Sequence, residues 1–584
     1  IDNIYMSAVM AMTGSGGWPL TVILTPDKKP FFGGTYFPPR AKWGSAGLVE
    51  IMHSINNSWV NNRQQILQSS ETLTQAIQQR NILSDDGKQL DEGIFAKSFE
   101  QFQYSFDDQY GGFGRAPKFP TSHNLSFLLR YWQRTQNADV LKMVEYTLRK
   151  MYLGGMYDHL GGGFHRYSTD QYWQIPHFEK MLYDQAIISK TYLEAYQITK
   201  DETYADIAKD IFRYVLTELC DDETGAFYSA EDADSLDPDE HTNMSSNTQH
   251  KIEKKEGAFY VWRYDEIMEI LGKEGGEIFA DYFSLEPGGN AHSDPHEEFV
   301  GKNILFIQKA EKDILKKYDL TSDQLGDKLT QAKQKLFEAR AQRPRPHLDD
   351  KVLVDWNGLM ISSFALGGRV LEDESYITAA QQAADFILDR MVTSEGRLLH
   401  RYRDGEASIV GTIEDYAFFI NGLLDLYEVT FDIKYLENAV KLSEDMVKLF
   451  WDEQGGFYFT GADAEKLLYR QKEVYDGAIP SGNSIAGLVL ARIYHISFDK
   501  KWQELHTQLF DVFAETVVRQ PSAYSQFLIG FDFVIGPTKE IVIVGDKDDA
   551  LVQEVVSYLQ NEFIPNKVVI LRESDDNSAK DLFA

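Results

Sequence analysis

His177, in the segment Pro176-His177-Phe178-Glu179, is the first candidate for proton-transfer chemistry. Proline suits the first turn of a helix, so this spacing predicts a helix whose positive end lies at His177 and disfavours an imidazolium. A neutral imidazole near pH 7 is a general base. On such a helix, positions 177, 181 and 184 share a face, which sets Asp184 below His177. His165 and Arg166 follow the turn Gly161-Gly162-Gly163-Phe164, so a loop would project them beside His177: two imidazoles and a guanidinium over one substrate. The plainer expectation for Arg166 is an ion pair with Glu179. Carboxylates gather at Glu231, Asp232 and Asp234, and at Asp355, Glu414, Asp415 and Asp476 farther along. Two of them about 5–10 Å apart across a sugar would make a glycoside-cleaving pair. Asp355 and the Thr412-x-x-Asp415 spacing also fit helix capping. Aromatic rings lie beside these groups at Trp18, Tyr167, Trp173, Trp356, Tyr416 and Tyr475, where sugar C–H faces would stack. Glu179, Asp184, Tyr167, Trp356, Asn357, Glu414, Asp415 and Asn483 are therefore the expected substrate contacts, with His177, His165, Arg166, Glu231, Asp232 and Asp355 as the expected catalytic set.

Two other clusters carry less. His292-Ser293-Asp294-Pro295-His296-Glu297 looks like a metal cluster, but Pro295 interrupts any helical face, and a solvated loop is expected. No metal or cofactor is expected. Cys220 is the single cysteine, so these residues hold neither a disulfide nor a Cys-x-x-Cys pair. Its neighbours Asp221 and Asp222 raise the thiol, which should be inert.

The elements that must hold these side chains belong to a chain of 584 residues with 58 basic and 90 acidic side chains, a net charge of −32. Such a surface repels nucleic acid. No apolar run reaches the roughly 18 residues that span a bilayer, so no membrane partner is expected. The start, Ile1-Asp2-Asn3-Ile4, has no initiator Met and no signal pattern. We read it as beginning partway into a domain, in a reducing, cytoplasmic compartment. Residues 1–84 read as a small α/β unit, with Val22-Ile23-Leu24-Thr25 as a strand and helical spacing from about Leu48 to Arg80. Residues 91–525 read as helix after helix. Polar or Pro-marked starts stand at Pro120, Pro176, Asp355, Thr412 and Ser481, and Gly-aromatic turns recur at Phe113, Phe164, Phe227, Phe259 and Phe457. Alternating apolar and amphipathic helices suggest a ring of helical hairpins, or else a solenoid. A polar insertion is expected near 236–256, and residues 536–584 read as strand–helix–strand with no dinucleotide fingerprint.

Several segments resemble one family. They are Met12-Thr13-Gly14-Ser15-Gly16-Gly17-Trp18-Pro19, Phe32-Gly33-Gly34-Thr35-Tyr36-Phe37-Pro38-Pro39, Gly163-Phe164-His165-Arg166-Tyr167-Ser168 and Pro176 to Asp184. Ser229-Ala230-Glu231-Asp232-Ala233-Asp234-Ser235, Asp349-Asp350-Lys351, Asp355-Trp356-Asn357-Gly358 and Pro480-Ser481-Gly482-Asn483-Ser484 continue the match in order. They are similar to the family of spermatogenesis-associated protein 20 and bacterial thioredoxin-domain proteins of the YyaL type. The resemblance implies a mainly α fold: a partial thioredoxin-like α/β domain, an (α/α)6 six-hairpin toroid, and a small α/β tail. The toroid would be like that of N-acylglucosamine 2-epimerases, mannose isomerases and six-hairpin glycosidases. It also implies a cis-proline loop at Trp18-Pro19, and a Cys-x-x-Cys motif upstream of residue 1. The expected function is that of a sugar isomerase or epimerase using histidine acid/base chemistry on a small sugar or glycan. The alternatives are a glycan- or protein-binding scaffold, partnered through the thioredoxin-like part, and a thiol oxidoreductase with its cysteines upstream.

Overall fold

The computed structural model describes residues 2–42, 44, 46–80, 89–237, 254–294 and 297–573. Helix α1 (Asp2–Thr13), the antiparallel strands β1 (Thr21–Leu24) and β2 (Pro30–Gly34), and helices α2 (Leu48–Asn61) and α3 (Arg63–Arg80) come first. Both α1 and α3 pack on β2. The Trp18–Pro19 bond that leads into β1 is cis.

Helices then dominate. In chain order they are α4 (Gly93–Ser105), α5 (Ser122–Thr135) and α6 (Ala138–Leu153), then strands β3 (Tyr167–Ser168), β4 (Pro176–His177) and β5 (Lys180–Met181). Next come α7 (Leu182–Thr199), α8 (Glu202–Tyr214), β6 (Ala230–Glu231), β7 (Asp234–Leu236) and β8 (Lys254–Glu256). Helices α9 (Tyr264–Tyr282), α10 (Glu311–Tyr318) and α11 (Ser322–Arg340) enclose a small core of their own around Trp262, Phe279 and Leu336. Strands β9 (Leu348–Asp349) and β10 (Val352–Leu353) precede α12 (Val354–Val370) and α13 (Glu374–Arg390). The hairpin β11 (Leu399–Arg403) and β12 (Glu406–Val410) leads to α14 (Ile413–Thr430), α15 (Ile433–Phe450), α16 (Gly482–Ser497), α17 (Lys500–Arg519) and α18 (Ser525–Ile535). The chain finishes with β13 (Lys539–Val544), α19 (Ala550–Asn561) and β14 (Lys567–Arg572), the two strands paired in parallel.

Six of these helices close a ring. Each of α5, α7, α12, α14, α16 and α18 packs on the next, and α18 packs back on α5. The helices α6, α8, α13, α15 and α17 lie outside their predecessors. Helix α4 supplies the sixth outer position, with Phe95 against Phe531 of α18 at 5.8 Å. The toroid is therefore a closed (α/α)6 barrel and not an open solenoid. Composition explains the two layers: α14 is buried continuously from Asp415 to Leu424, as a helix that is apolar on all sides must be. Its neighbour α15 buries only Tyr435, Leu436, Ala439, Leu442, Ser443, Met446 and Phe450, a single stripe.

Glycine sets the closest approach in the ring. A Cβ on Gly358 would lie 2.6 Å from the Phe418 carbonyl carbon, and one on Gly422 would lie 2.7 Å from the Gly358 oxygen. Without side chains there, α12 and α14 meet backbone to backbone. Four of the five expected helix starts are observed. Ser481 caps α16 by accepting from the Ser484 N–H, and Thr412 and Asp415 form a capping box on α14. The fifth is corrected: Pro176-His177 is strand β4, paired with Tyr167-Ser168, and α7 begins at Leu182. A proline serves an edge strand as readily as a first helical turn. The expected insertion falls largely on residues 238–253, outside the described residues.

Candidate functional site

The loops that precede the inner helices meet at one rim of the ring. There α7, α12 and α14 present their first turns next to one another. The correction at Pro176 changes the chemistry of His177. Its ring stacks on Tyr167 at 5.0 Å, its Nδ1 lies 2.7 Å from Glu256 Oε1, and its Nε2 lies 3.6 Å from Glu179 Oε2. Burial works against the charge, but the two glutamates outweigh it and hold the imidazole at about 9. At neutral pH His177 is thus an imidazolium, where the sequence suggested a neutral base. It shares no helix face with Asp184.

His165 is the opposite case. It is 2% exposed, donates from Nδ1 to the Phe178 carbonyl at 2.9 Å, and meets Phe178 and Tyr260 edge-on at 5.0 and 4.7 Å. Burial first, and then the Lys180 ammonium, hold it neutral, well below the usual histidine range. The two histidines therefore do not form a matched pair. Arg166 takes its plainer role, with Nη1 2.8 Å from Glu179 Oε2. It also faces Tyr183 and Asp184. Asp184, in the first turn of α7, is buried with no partner at Oδ2, and desolvation keeps its carboxyl protonated well above the ordinary range.

Tyr183 meets Trp356 edge-on at 4.9 Å and so links this group to the start of α12. The close α12–α14 contact then brings three carboxyls and a histidine together. Asp415 is fully buried; its Oδ1 accepts from His400 Nδ1 at 2.8 Å and from the Asp355 N–H at 3.3 Å. Its Oδ2 accepts from the Thr412 N–H at 2.6 Å and the Thr412 hydroxyl at 3.0 Å. Burial, and then the Asp415 charge, push Asp355 up to about 7. Burial, and then Asp355 and Asp415, push Glu414 up to about 8. Burial opposes the charge on His400, but the hydrogen bond to Asp415 holds it at about 9. Ligand atoms of Asp355, His400 and Asp415 lie within 4.8 Å of one another, a spacing that a cation tolerates. However, His400 Nδ1 is spent on Asp415, and both Asp415 oxygens already accept two hydrogen bonds each. Among the described residues the Asp355 carboxyl, by contrast, accepts only from backbone N–H, that of Trp356 at 2.8 Å.

The remaining expected residues divide between structural duty and the surface. Glu231 is 2% exposed and has both oxygens taken: one by the Tyr214 hydroxyl at 2.7 Å, the other by Arg345 Nη2 at 2.6 Å. Asp232 is half-exposed, 3.7 Å from Lys254. Asn357 and Asn483, expected to touch substrate, are instead backbone clamps. Asn357 accepts from the Phe227 N–H and donates to the Phe227 carbonyl, each at 2.9 Å. Asn483 does the same for Phe457 at 2.7 and 2.9 Å, and Gln185 for Phe164 at 2.8 and 2.7 Å. At three of the six inner-helix starts, those of α7, α12 and α16, one amide thus locks a Gly-aromatic turn of the rim. Asp476 is buried, accepts from the N–H groups of Ser481, Gln526 and Phe527, and is pushed up to about 7 by burial. Burial, then Asp222 and Asp221, push the Cys220 thiol up to about 11. His292 lies 3.1 Å from Glu286, while Pro295 and His296 fall outside the described residues. Trp18 is 72% exposed and donates to Asp2 at 3.0 Å.

Sequence reasoning missed His400 and Glu256. His400 sits on a hairpin strand, and the Asp404-Gly405 turn was the signal that a hairpin stood there. Glu256 reaches His177 from 79 residues away, with no local signal.

The family described as Thioredox_DsbH, protein of unknown function, DUF255, matches residues 1–78. Human spermatogenesis-associated protein 20 is 38% identical over 608 residues, which cover 99% of this chain and 76% of the human protein. An uncharacterized protein of Caenorhabditis elegans is 35% identical over 603 residues, 99% of this chain and 80% of its own. Among solved structures, D-mannose isomerase aligns with a TM-score of 0.46 at 10% identity, over 73% of this chain and 85% of its own. A GH76 α-mannanase from Bacteroides thetaiotaomicron aligns with a TM-score of 0.38 at 10% identity, over 75% and 96%. The sequence matches along nearly the whole chain decide the relationship: this chain belongs to the spermatogenesis-associated protein 20 family.

Proposed function

We propose that the rim of the toroid transfers protons on a carbohydrate, as a sugar isomerase or epimerase does, and that Asp355, Glu414 and His400 are its acid/base groups. The observation that carries this reading is geometric: Asp355, Asp415 and His400 crowd within 4.8 Å of one another at the starts of adjacent inner helices, beside Glu414, and burial with that crowding pushes Asp355 and Glu414 above the ordinary carboxylate range. General acid/base catalysis works best when a group titrates near the operating pH. In this reading Asp355, as carboxylate, takes the proton from the carbon beside a sugar carbonyl. Glu414, as acid, protonates the carbonyl oxygen to give an enediol. Returning a proton to carbon, with Glu414 reprotonated from the hydroxyl, completes an isomerisation or epimerisation. His400, held by Asp415, supports the negative charge that develops, and Trp356 offers a ring for the sugar to stack on. Arg166, Glu179 and His177 on the α7 side would position the substrate's hydroxyls.

The test is incubation with aldoses and N-acylated sugars in D₂O, read by deuterium at the carbon beside the carbonyl. Asp355→Asn should lower exchange by about 10²–10⁴-fold while the fold is retained. If every sugar binds without exchange, the rim is a glycan-binding surface and the catalytic reading fails.

A further inference from the structure

The ring's other end holds a second site. All six inner helices, mostly through their C-terminal halves, meet α19, the segment 562–566 and β14 around a cavity of about 150 Å³. Its walls carry five basic and four acidic side chains, one cation in excess. Most of these charges are already matched: Arg130 pairs with Glu194 Oε1 at 2.8 Å, Lys190 with Asp425 at 3.2 Å, and Arg492 with Asp425 and Glu428 at 2.6 and 2.8 Å.

Three polar groups on the same walls are not matched. Lys567 Nζ donates to the Ile564 carbonyl at 3.2 Å and has no carboxylate within 4.0 Å among the described residues, the Glu428 and Asp425 charges acting on it from farther away. Glu194 is 3% exposed, and its Oε2 has no hydrogen-bond partner; Gln560 is 9% exposed, and its Oε1 has none. The rest of Gln560 is fixed, because its Nε2 donates to the Glu428 carbonyl at 2.8 Å and its carbonyl accepts from Gln197 at 2.5 Å. The site therefore offers one half-buried ammonium with no carboxylate in contact, its charge met only at longer range by Glu428 and Asp425, and two fixed acceptors without donors. Interiors are otherwise close-packed, and buried polar groups find partners.

We propose that this cavity binds a small hydroxycarboxylate, its carboxylate on Lys567 and its hydroxyl groups donating to Glu194 Oε2 and Gln560 Oε1. The size suits a three- or four-carbon acid. Two of the three recognition groups belong to the C-terminal strand–helix–strand, so that unit is the cover of the site, and the ligand fastens it to the ring. The site is independent of the rim chemistry.

The test uses the full chain, with D-glycerate and L-lactate as probes, followed by calorimetric titration and by thermal unfolding. Both acids should bind saturably and raise Tm, whereas glycerol, which lacks the carboxylate, should not. Lys567→Met should weaken glycerate at least tenfold, and Glu194→Gln should weaken glycerate more than acetate. If Lys567→Met does not fold, Gln560→Leu takes its place and should also weaken glycerate. Asp355→Asn should leave binding unchanged, which separates this result from any failure at the rim. Absence of saturable binding by either acid overturns the proposal and leaves a water-filled structural cavity. So does binding that is indifferent to Lys567 and Gln560, and so does a preference for L-alanine over L-lactate, which would put an ammonium where we place a hydroxyl.

Discussion

His177 shows how far one partner can move a residue's chemistry. A histidine at a helix start should be neutral, whereas one between Glu179 and Glu256 is charged to about 9. The folded value lies above the ordinary 6.5, so the proton is bound more tightly in the fold than out of it. The stabilisation is therefore fully present below about 6.5 and is lost as pH rises through about 9. His177→Gln should lower Tm at pH 6, with the gap to the parent closing between pH 7 and pH 10. A constant gap across that range would mean that His177 contributes packing alone. Nothing near residue 177 announced Glu256, which ends the expected insertion. Spacing finds partners on the same element, and this pair spans two.

At the scale of elements, the ring was readable and its rim was not. The ring helices are long, and a long apolar period with caps at Thr412 and Ser481 is a strong signal. The rim strands are mostly two or three residues long, too short for any period, which is why Pro176-His177 read as a helix start. Asn357 and Asn483 were legible as special positions, since a polar amide opens an otherwise apolar helix. Their role as clamps depends on where the Gly-aromatic turn folds back, which sequence does not show. Asn357→Leu should leave the Phe227 N–H and carbonyl unpaired inside the protein and cost about 1–3 kcal/mol for each orphaned group. Gly358→Ala should force α12 from α14 and cost about 1–3 kcal/mol or more. Urea unfolding would show both as lower midpoints. Gly358→Ala should also separate Asp355 from Asp415, so the near-neutral titration at the rim should move back toward the ordinary carboxylate range. A Gly358→Ala variant as stable as the parent would refute the close-contact account.

At the scale of the whole molecule, carboxyls crowd at one end of the ring, whereas charge at the other end is nearly balanced. Inner-helix N-termini carry the positive ends of their dipoles to the rim, where Asp184, Asp355, Glu414, Asp415 and Asp476 collect. The C-terminal ends carry Arg130, Lys190, Arg369, Arg492 and Lys567 beside Glu194, Asp425, Glu428 and Glu562. Dipoles offset only part of the crowding, and burial drives Asp355, Glu414 and Asp476 up to about 7, 8 and 7. A carboxyl whose folded value exceeds its unfolded one favours folding while protonated. The fold therefore loses stability as pH rises from about 4 to about 8, the reverse of the usual acid-denaturation behaviour of carboxylates. His177 and His400 add to the same trend, being lost toward pH 9. Asp158 and Asp425 act in the opposite direction, since neighbouring arginine and lysine hold them well below the ordinary range, so stability also falls in strong acid. The stability maximum should lie on the acid side of neutrality, and Asp355→Asn with Glu414→Gln should raise stability at pH 8 by on the order of 1–3 kcal/mol, read as a higher Tm. On the proposed acid/base reading of the rim, the same double variant should also abolish sugar exchange. A double variant that is less stable than the parent at pH 8 would show instead that these carboxyls are structural, and the acid/base reading of the rim would fall with it.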